Sequence, residues 1–323
     1  MLHNVSADKK DVPRNFWGAF GAIILLTFTV SQFSVAATPP KQKSFATPEE
    51  AVKAAVAAAK NNDDKELLAI FGAQAKDLMN SGDAVADKQR RERFLAAYNE
   101  KNTIATEGES RIIVVGNNAW PFPIPLVKKA DVWMFDTEKG REEILNRRIG
   151  ENELNAIQVT LALVDAQREY GMKDRDGDGI LEYARRFRSE AAKKNGLYWQ
   201  AKTGEEQSPL GPLAAQAQGA GYTAQGPGAG QTAIPYYGYF YKILEAQGKD
   251  APGGAYSYVV KGNMLGGFAL VAFPAQYGNS GVMTFIVNHE GKVFQKNLGT
   301  NTATVAGAMK EYNPDKTWTE VKQ

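Results

Sequence analysis

The stretch Leu154-Asn-Ala-Ile-Gln-Val-Thr-Leu-Ala-Leu-Val164 decides the fold class of this chain. Its apolar residues recur every three or four positions, which is the spacing of one face of an α-helix. The stripe comprises Leu154, Ile157, Leu161 and Val164. The pattern predicts a long helix from about Glu142 to Tyr170, with a break at Gly150. Such a stripe needs an apolar partner, so we expect the helix to pack on a core.

The sequence downstream of this helix supplies the partner. Residues 200–234 are rich in Gly, Ala, Gln and Pro and predict a loop with one short helix near Leu210–Gln216. The rest predicts strands and a closing helix. These elements are Tyr236–Leu244, Ser257–Val260, Gly267–Phe273, Val282–Val287, Val293–Asn297 and the helix Thr302–Tyr312. We therefore expect residues 141–323 to form a long helix packed on an antiparallel sheet.

The sequence upstream predicts a smaller module over residues 45–140, after a linker at 38–44. Thr47-Pro-Glu-Glu50 is a helix-start signal. The expected helices are 48–60, 65–71 and 83–101, and the expected strands are 111–115, 121–127 and 132–135, with a hairpin turn at 128–131. Three prolines restrict the middle strand to an edge or a bulge. The predicted class is α+β, with N-terminal helices and a curved antiparallel hairpin preceding the long helix.

The N-terminus has the pattern of an export signal. Lys9, Lys10 and Arg14 precede an apolar run from Phe16 to Val30, and small residues follow up to Ala37. A basic segment, an apolar segment and a small-x-small site predict a signal peptide over residues 1–37, with a retained anchor as the weaker alternative. No comparable apolar run follows, so we expect a periplasmic or secreted protein with no transmembrane segment after cleavage.

Composition excludes several chemistries. The chain has no cysteine, which removes disulfides, thiolate nucleophiles and zinc ribbons, and its two histidines are His3 and His289. Lys and Arg total 38 against 36 Asp and Glu, and this near-balance argues against a nucleic-acid-binding surface. We assign no catalytic residue and expect a non-catalytic binding or adaptor module, with an envelope protein or a glycan as partner.

The sharpest local motif is Asp174-Arg-Asp-Gly-Asp-Gly-Ile-Leu-Glu182. Oxygen ligands at loop positions one, three, five, seven and nine, with glycine at six, are typical of a calcium loop between two helices. The predicted ligands are Asp174, Asp176, Asp178, the carbonyl of Ile180, and Glu182. Position twelve is Arg185, where a bidentate acid is expected. The alternative is an Asx-rich turn that joins the long helix to a short helix ending at Phe187.

Two further patterns leave alternatives open. The hairpin from Trp120 to Lys129, with Trp133 and Phe135, is either one wall of a ligand pocket or the core of a curved sheet. Arginines cluster at three places, namely 90–93, 147–148 and 185–188. Solvated helix faces explain such clusters, and the alternative is an anionic partner such as a phospholipid headgroup or an envelope polysaccharide.

Three resemblances add to these predictions. Residues 45–140, ending in Trp133-Met-Phe-Asp136, resemble nuclear-transport-factor-2-like cones, which often hold a small-molecule pocket. Phe268–Pro274 and Tyr277–Phe285 look like the strand pair of type IV pilin-like domains. The whole chain resembles an uncharacterised family of exported bacterial proteins, the DUF2950 type, which implies an envelope or secreted location and no activity. The stretches that carry this last resemblance are 120–129, 144–150, 174–179, 251–256 and 280–288.

Two other functions remain open from the sequence. One is a periplasmic hydrolase that uses an Asp/Glu pair, for which the acids around the start of the long helix are candidates. These are Asp136, Glu138, Glu142 and Glu143. Acids at a helix start are also expected from the helix dipole alone. The second is an accessory component of a pilus or secretion system, which an exposed apolar patch on the long helix would favour.

Overall fold

The computed structural model describes residues 41–223 and 234–322. The predicted signal peptide (1–37), the first residues of the linker, and residues 224–233 of the predicted loop lie outside the described residues. Within the described ranges, no helix has both the length and the apolar character needed to cross a membrane.

The N-terminal part begins with four helices. They are α1 (Pro48–Lys60), α2 (Asp64–Phe71), α3 (Lys76–Met79) and α4 (Ala84–Glu100), with a 3₁₀ turn at Ala73–Ala75. The Thr47 hydroxyl accepts a 3.2 Å hydrogen bond from the Glu50 amide, as the helix-start signal predicts. Asp63 caps α2 and Asp83 caps α4 in the same way.

An antiparallel sheet follows the helices. Its strands are β1 (Asn102–Glu107), β2 (Ser110–Val115), β3 (Trp120–Pro121), β4 (Leu126–Lys129) and β5 (Val132–Phe135). Their order is β1-β2-β4-β5, and β3 pairs with β2. The prediction of one strand over 121–127 was wrong, because Pro123 and Pro125 have no N–H to donate to a ladder. Strand β1 was missed, since its largely exposed, polar residues show no apolar alternation.

Helix α5 runs unbroken from Thr137 to Gly171, so the expected break at Gly150 was wrong. Gly150 is exposed and has no neighbour within 4 Å that would require a glycine there. The predicted stripe was wrong at its first residue, because the Leu154 side chain is 68% exposed. The buried face is rotated relative to that stripe. It comprises Arg148, Asn152, Ala156, Val159, Leu163 and Tyr170.

The C-terminal part adds two helices, α6 (Gly211–Gly219) and α7 (Thr302–Ala308). Its strands are β6 (Tyr239–Leu244), β7 (Ala246–Gln247), β8 (Tyr256–Ser257), β9 (Val259–Val260), β10 (Asn263–Met264), β11 (Ala269–Pro274), β12 (Met283–Asn288), β13 (Val293–Asn297), β14 (Glu311–Tyr312) and β15 (Thr319–Glu320). The main sheet has the antiparallel order β15-β13-β12-β11-β6. Helix α7 is shorter than predicted, because the chain leaves it to pair β14 with β7.

The described residues build two apolar cores. One lies between α1, α2 and the first sheet, and it includes Ile70, Leu126 and Phe135. The other lies between α5 and the main sheet and includes Leu163 and Phe285. The α+β class, with a long helix on an antiparallel sheet, is confirmed. The domain boundary at residue 140 stays a prediction, and it falls inside α5.

Candidate functional site

The acidic loop after α5 brings three predicted ligands together. Carboxylate oxygens of Asp174, Asp176 and Asp178 all lie within 4.8 Å of one another. The Asp174 carboxylate accepts hydrogen bonds from the amides of Gly177 (2.7 Å) and Gly179 (2.9 Å), and these bonds lower its pKa. Both glycines have a positive φ, +83° and +85°, which a residue with a side chain rarely adopts. The loop therefore folds around the carboxylate of its first residue, Asp174.

Glu182, the predicted ligand at position nine, lies beside this cluster. Its carboxylate accepts a 3.0 Å hydrogen bond from the Met264 amide. Partial burial raises its pKa, and the nearby charges of Asp176 and Asp178 raise it further. Four acids thus share one small region, and this arrangement carries a repulsion that a cation would relieve.

The connection after the loop differs from the prediction. The expected helix through Phe187 is absent, and Tyr183 instead forms an isolated β-bridge with Met264 of the β9–β10 hairpin. Asn263 of the same hairpin donates a 3.0 Å hydrogen bond to Asp178. The Arg185 side chain, at position twelve, pairs with Glu245 at 2.9 Å. The loop therefore lies between a helix and a hairpin and lacks the second helix of an EF-hand. Ile180, the predicted carbonyl ligand, donates its amide to Asp178 at 2.8 Å.

A cavity of about 520 Å³ lies in the N-terminal part, between α1, α2, α4, β2 and the first half of α5. Small residues of α1, Ala55 and Ala59, leave room on one side. Larger apolar side chains line the other sides of the cavity. They include Phe71, Phe94, Ile113, Val115, Phe122 and Ile144. A volume of this size falls in the range that binds one small organic molecule.

The aromatic hairpin forms one wall of this cavity. Trp120, Phe122, Pro123 and Ile124 all line it, which favours the pocket interpretation of this stretch. The start of α5 packs directly against the wall, because a Cβ on Gly140 would lie 2.7 Å from the Pro123 carbonyl oxygen. Trp120 lies in β3 and Phe122 in the segment between β3 and β4, so both the strand and the segment after it contribute aromatic side chains to the cavity.

Two of the predicted arginine clusters meet at the same cavity. Its lining includes five arginines and two carboxylates. They are Arg90, Arg91, Arg93, Arg147, Arg148, Asp87 and Glu151. Glu151 pairs with Arg93 at 3.0 Å and with Arg90 at 3.4 Å, and Asp87 pairs with Arg90 at 3.3 Å. Neither lining carboxylate is therefore free to act as an acid or a base without breaking an ion pair.

Arg148 is the most buried of the five, with an exposure of 5%. It donates hydrogen bonds to the carbonyls of Asp77 and Leu78 and to the side-chain oxygen of Asn279. Burial lowers the pKa of its guanidinium to about 10, so it stays charged at neutral pH. Its Nε atom is buried and has no hydrogen-bond partner. Sequence reasoning placed Arg148 on a solvated face, although it lies four residues before the buried Asn152 and on the same face.

The other candidate groups lie elsewhere. Asp136, just before α5, pairs with Lys139 at 3.5 Å, and Glu143 pairs with Arg147 at 2.6 Å within α5. Neither acid lines the cavity. His289, at the turn after β12, is not a free solvated imidazole. Its ring packs between Tyr258 and Phe268, and its Nδ1 atom is buried without a partner.

The comparisons with known proteins identify one family. The sequence matches the family described as "Protein of unknown function (DUF2950)" over residues 42–321, a range that contains both cores, the acidic loop and the cavity. No curated protein and no solved structure matches the chain. The likenesses to nuclear-transport-factor-2-like cones and to pilin-like domains therefore stay predictions. The resemblance to the DUF2950 type is confirmed, and the chain belongs to this family.

Proposed function

We propose that this protein is an exported, non-catalytic binding protein of the bacterial envelope that holds a small organic molecule in its apolar N-terminal cavity. The cavity carries this proposal, because about 520 Å³ of apolar space beside a folded core has no role in packing. The ion-paired state of Asp87 and Glu151 favours binding over the hydrolase alternative. Export, and an envelope protein or glycan as partner, remain predictions from the sequence.

A neutral fluorescent probe tests the cavity. N-phenyl-1-naphthylamine brightens in apolar surroundings, so we expect saturable binding to the purified protein without its first 37 residues. Ala55→Trp fills the cavity from α1 and should abolish this binding. Ala57→Trp is the matched control, because Ala57 is on the exposed face of the same helix. Equal binding by both variants, or none by the unaltered protein, would contradict the proposal.

A second proposed property is that the acidic loop binds one calcium ion in a structural role. The close approach of three carboxylates favours it, with Glu182 as a fourth acid beside them. Asp174, Asp176, Asp178 and Glu182 would supply the side-chain oxygens, and Ile180 its carbonyl. A cation at this place would offset the mutual repulsion of the acids and fasten α5 to the β9–β10 hairpin.

Thermal unfolding tests the loop. Calcium at about 100 times its Kd would stabilise the fold by about 2.7 kcal/mol, which is a rise of several degrees in Tm over a chelator. Asp176→Asn should remove most of that rise. Asp131→Asn, in an exposed hairpin turn, should retain it. An unchanged Tm between calcium and chelator would remove the loop as a calcium site.

The pilus or secretion-system alternative has less support. Leu154 is the one large apolar side chain of α5 that is markedly exposed, and α5 lies wholly within the described residues. A single exposed leucine is ordinary on a protein surface and does not make a docking patch.

A further inference from the structure

The charges at the cavity indicate which class of ligand the proposed binding protein would hold. Resting on that function, we infer that the ligand is an amphipathic anion, with an apolar body inside the cavity and one anionic group at the arginines. The anionic group is a carboxylate or a phosphate, because both match the planar, forked donor edge of a guanidinium.

The first argument is the charge balance. Four carboxylates lie within ion-pair distance of the five lining arginines. They are Asp64, Asp87, Glu143 and Glu151. The lining arginines therefore exceed their paired carboxylates by one positive charge. Arg148 is the arginine with no acidic partner within 4 Å among the described residues, and Asp87, which attracts it from further away, already pairs with Arg90. A buried charge without a close counterion is costly, so one anionic group on a ligand would offset the excess positive charge at this cavity.

The second argument is the availability of donors. Arg147 donates to Glu143 through Nε, and its guanidinium carbon lies 5.1 Å from the centre of the Trp120 ring. Its terminal Nη groups make no hydrogen bond within the described part of the chain. The side chain is 39% exposed at the cavity edge, so an incoming anion can reach it. Arg147 therefore supplies hydrogen bonds to the headgroup, and Arg148 supplies a fixed positive charge behind it.

The third argument is the polarity of the space itself. The interior side chains, among them Phe71, Phe94 and Ile113, offer no hydrogen-bonding group to a ligand. A small hydrophilic anion such as free phosphate would leave this volume unfilled. Each methylene that an alkyl tail buries there should tighten Kd about fourfold, from about 0.8 kcal/mol per group.

The experiment compares ligands that share one tail and differ in their headgroup. Decanoate, decyl phosphate, decanol and decylammonium compete with N-phenyl-1-naphthylamine on the protein without its first 37 residues. We expect decanoate or decyl phosphate to bind at least about tenfold more tightly than decanol, and decylammonium more weakly than decanol. The tighter of the two anions identifies the headgroup.

One variant tests the assigned donor Arg147, and a matched variant on the same helix serves as its control. Arg147→Gln should reduce the ratio of anion to decanol affinity several-fold, whatever it does to the affinity for decanol itself. Arg168→Gln, on the same helix and outside the cavity lining, should keep the ratio. Equal affinities of decanoate, decyl phosphate and decanol for the unaltered protein would overturn this inference and leave the proposed binding function standing. If the unaltered protein does not bind N-phenyl-1-naphthylamine at all, the proposed binding function itself is overturned.

Discussion

Asp83→Ala should destabilise the protein far more than the loss of an ordinary helix cap. Asp83 is 1% exposed and precedes α4. Its Oδ1 atom accepts the capping hydrogen bond from Ala86 at 3.0 Å. Its Oδ2 atom accepts from the Tyr222 hydroxyl at 2.8 Å and from the Gly238 amide at 2.9 Å. One carboxylate therefore joins the N-terminal helices to two segments that lie more than 130 residues further along the chain.

The magnitude follows from these three bonds. A lost cap costs about 1 kcal/mol. Each buried donor left without an acceptor costs about 1–3 kcal/mol, and the Tyr222 hydroxyl and the Gly238 amide are two such donors. The expected loss in the free energy of unfolding is therefore about 3–7 kcal/mol. Burial and the negative charge of Asp83 raise the pKa of Tyr222, so its hydroxyl keeps the proton that it donates.

Asp63→Ala is the matched control. Asp63 caps α2 through a 2.9 Å bond from the Glu66 amide, is exposed, and makes no side-chain bond to a distant segment among the described residues. Its loss should cost about 1 kcal/mol. Urea unfolding followed by tryptophan fluorescence and far-UV circular dichroism measures both variants, with an unchanged m-value expected. If the two substitutions cost the same within error, the long-range bonds of Asp83 contribute nothing and the reasoning is wrong.

Three further predictions concern other parts of the chain. The pKa of Glu182 is raised in the fold, so its ionised form destabilises the fold as pH rises through that pKa. Glu182→Gln should therefore raise Tm at pH 7 in chelator. The same variant should lose the calcium-dependent rise in Tm. Gly267→Ala should lower the free energy of unfolding by about 2 kcal/mol or more, since φ is +128° and a Cβ would lie 2.5 Å from Nδ1 of His289. Gly307→Ala in α7 is the control and should be neutral or stabilising. Urea unfolding measures both variants. Leu163→Ala should cost about 2–5 kcal/mol and Leu154→Ala less than about 0.5 kcal/mol, and similar costs would refute the observed rotation of α5.

Local patterns were sufficient for much of the secondary structure and for one candidate site. The Thr47 cap, the period of the long helix and the glycine spacing of the acidic loop all depend on residues a few positions apart. Interactions between residues only a few positions apart can be predicted from the sequence. The acidic loop was accordingly assigned by residue, and its three aspartates do meet. The expected second helix failed because pairing of Tyr183 with Met264, some eighty residues away, replaced it.

By itself, the sequence determined the α+β class, the acidic loop and the family of this protein. The cavity and its charge were decided only by the tertiary structure. Arginines of α4 and α5, more than fifty residues apart, look like solvated clusters until packing places them around one space. Alanines such as Ala55 and Ala59 look like ordinary helix formers until the opposite wall leaves a gap beside them. The reason is that a cavity is the volume that distant side chains leave unfilled, and no pattern within one segment records it.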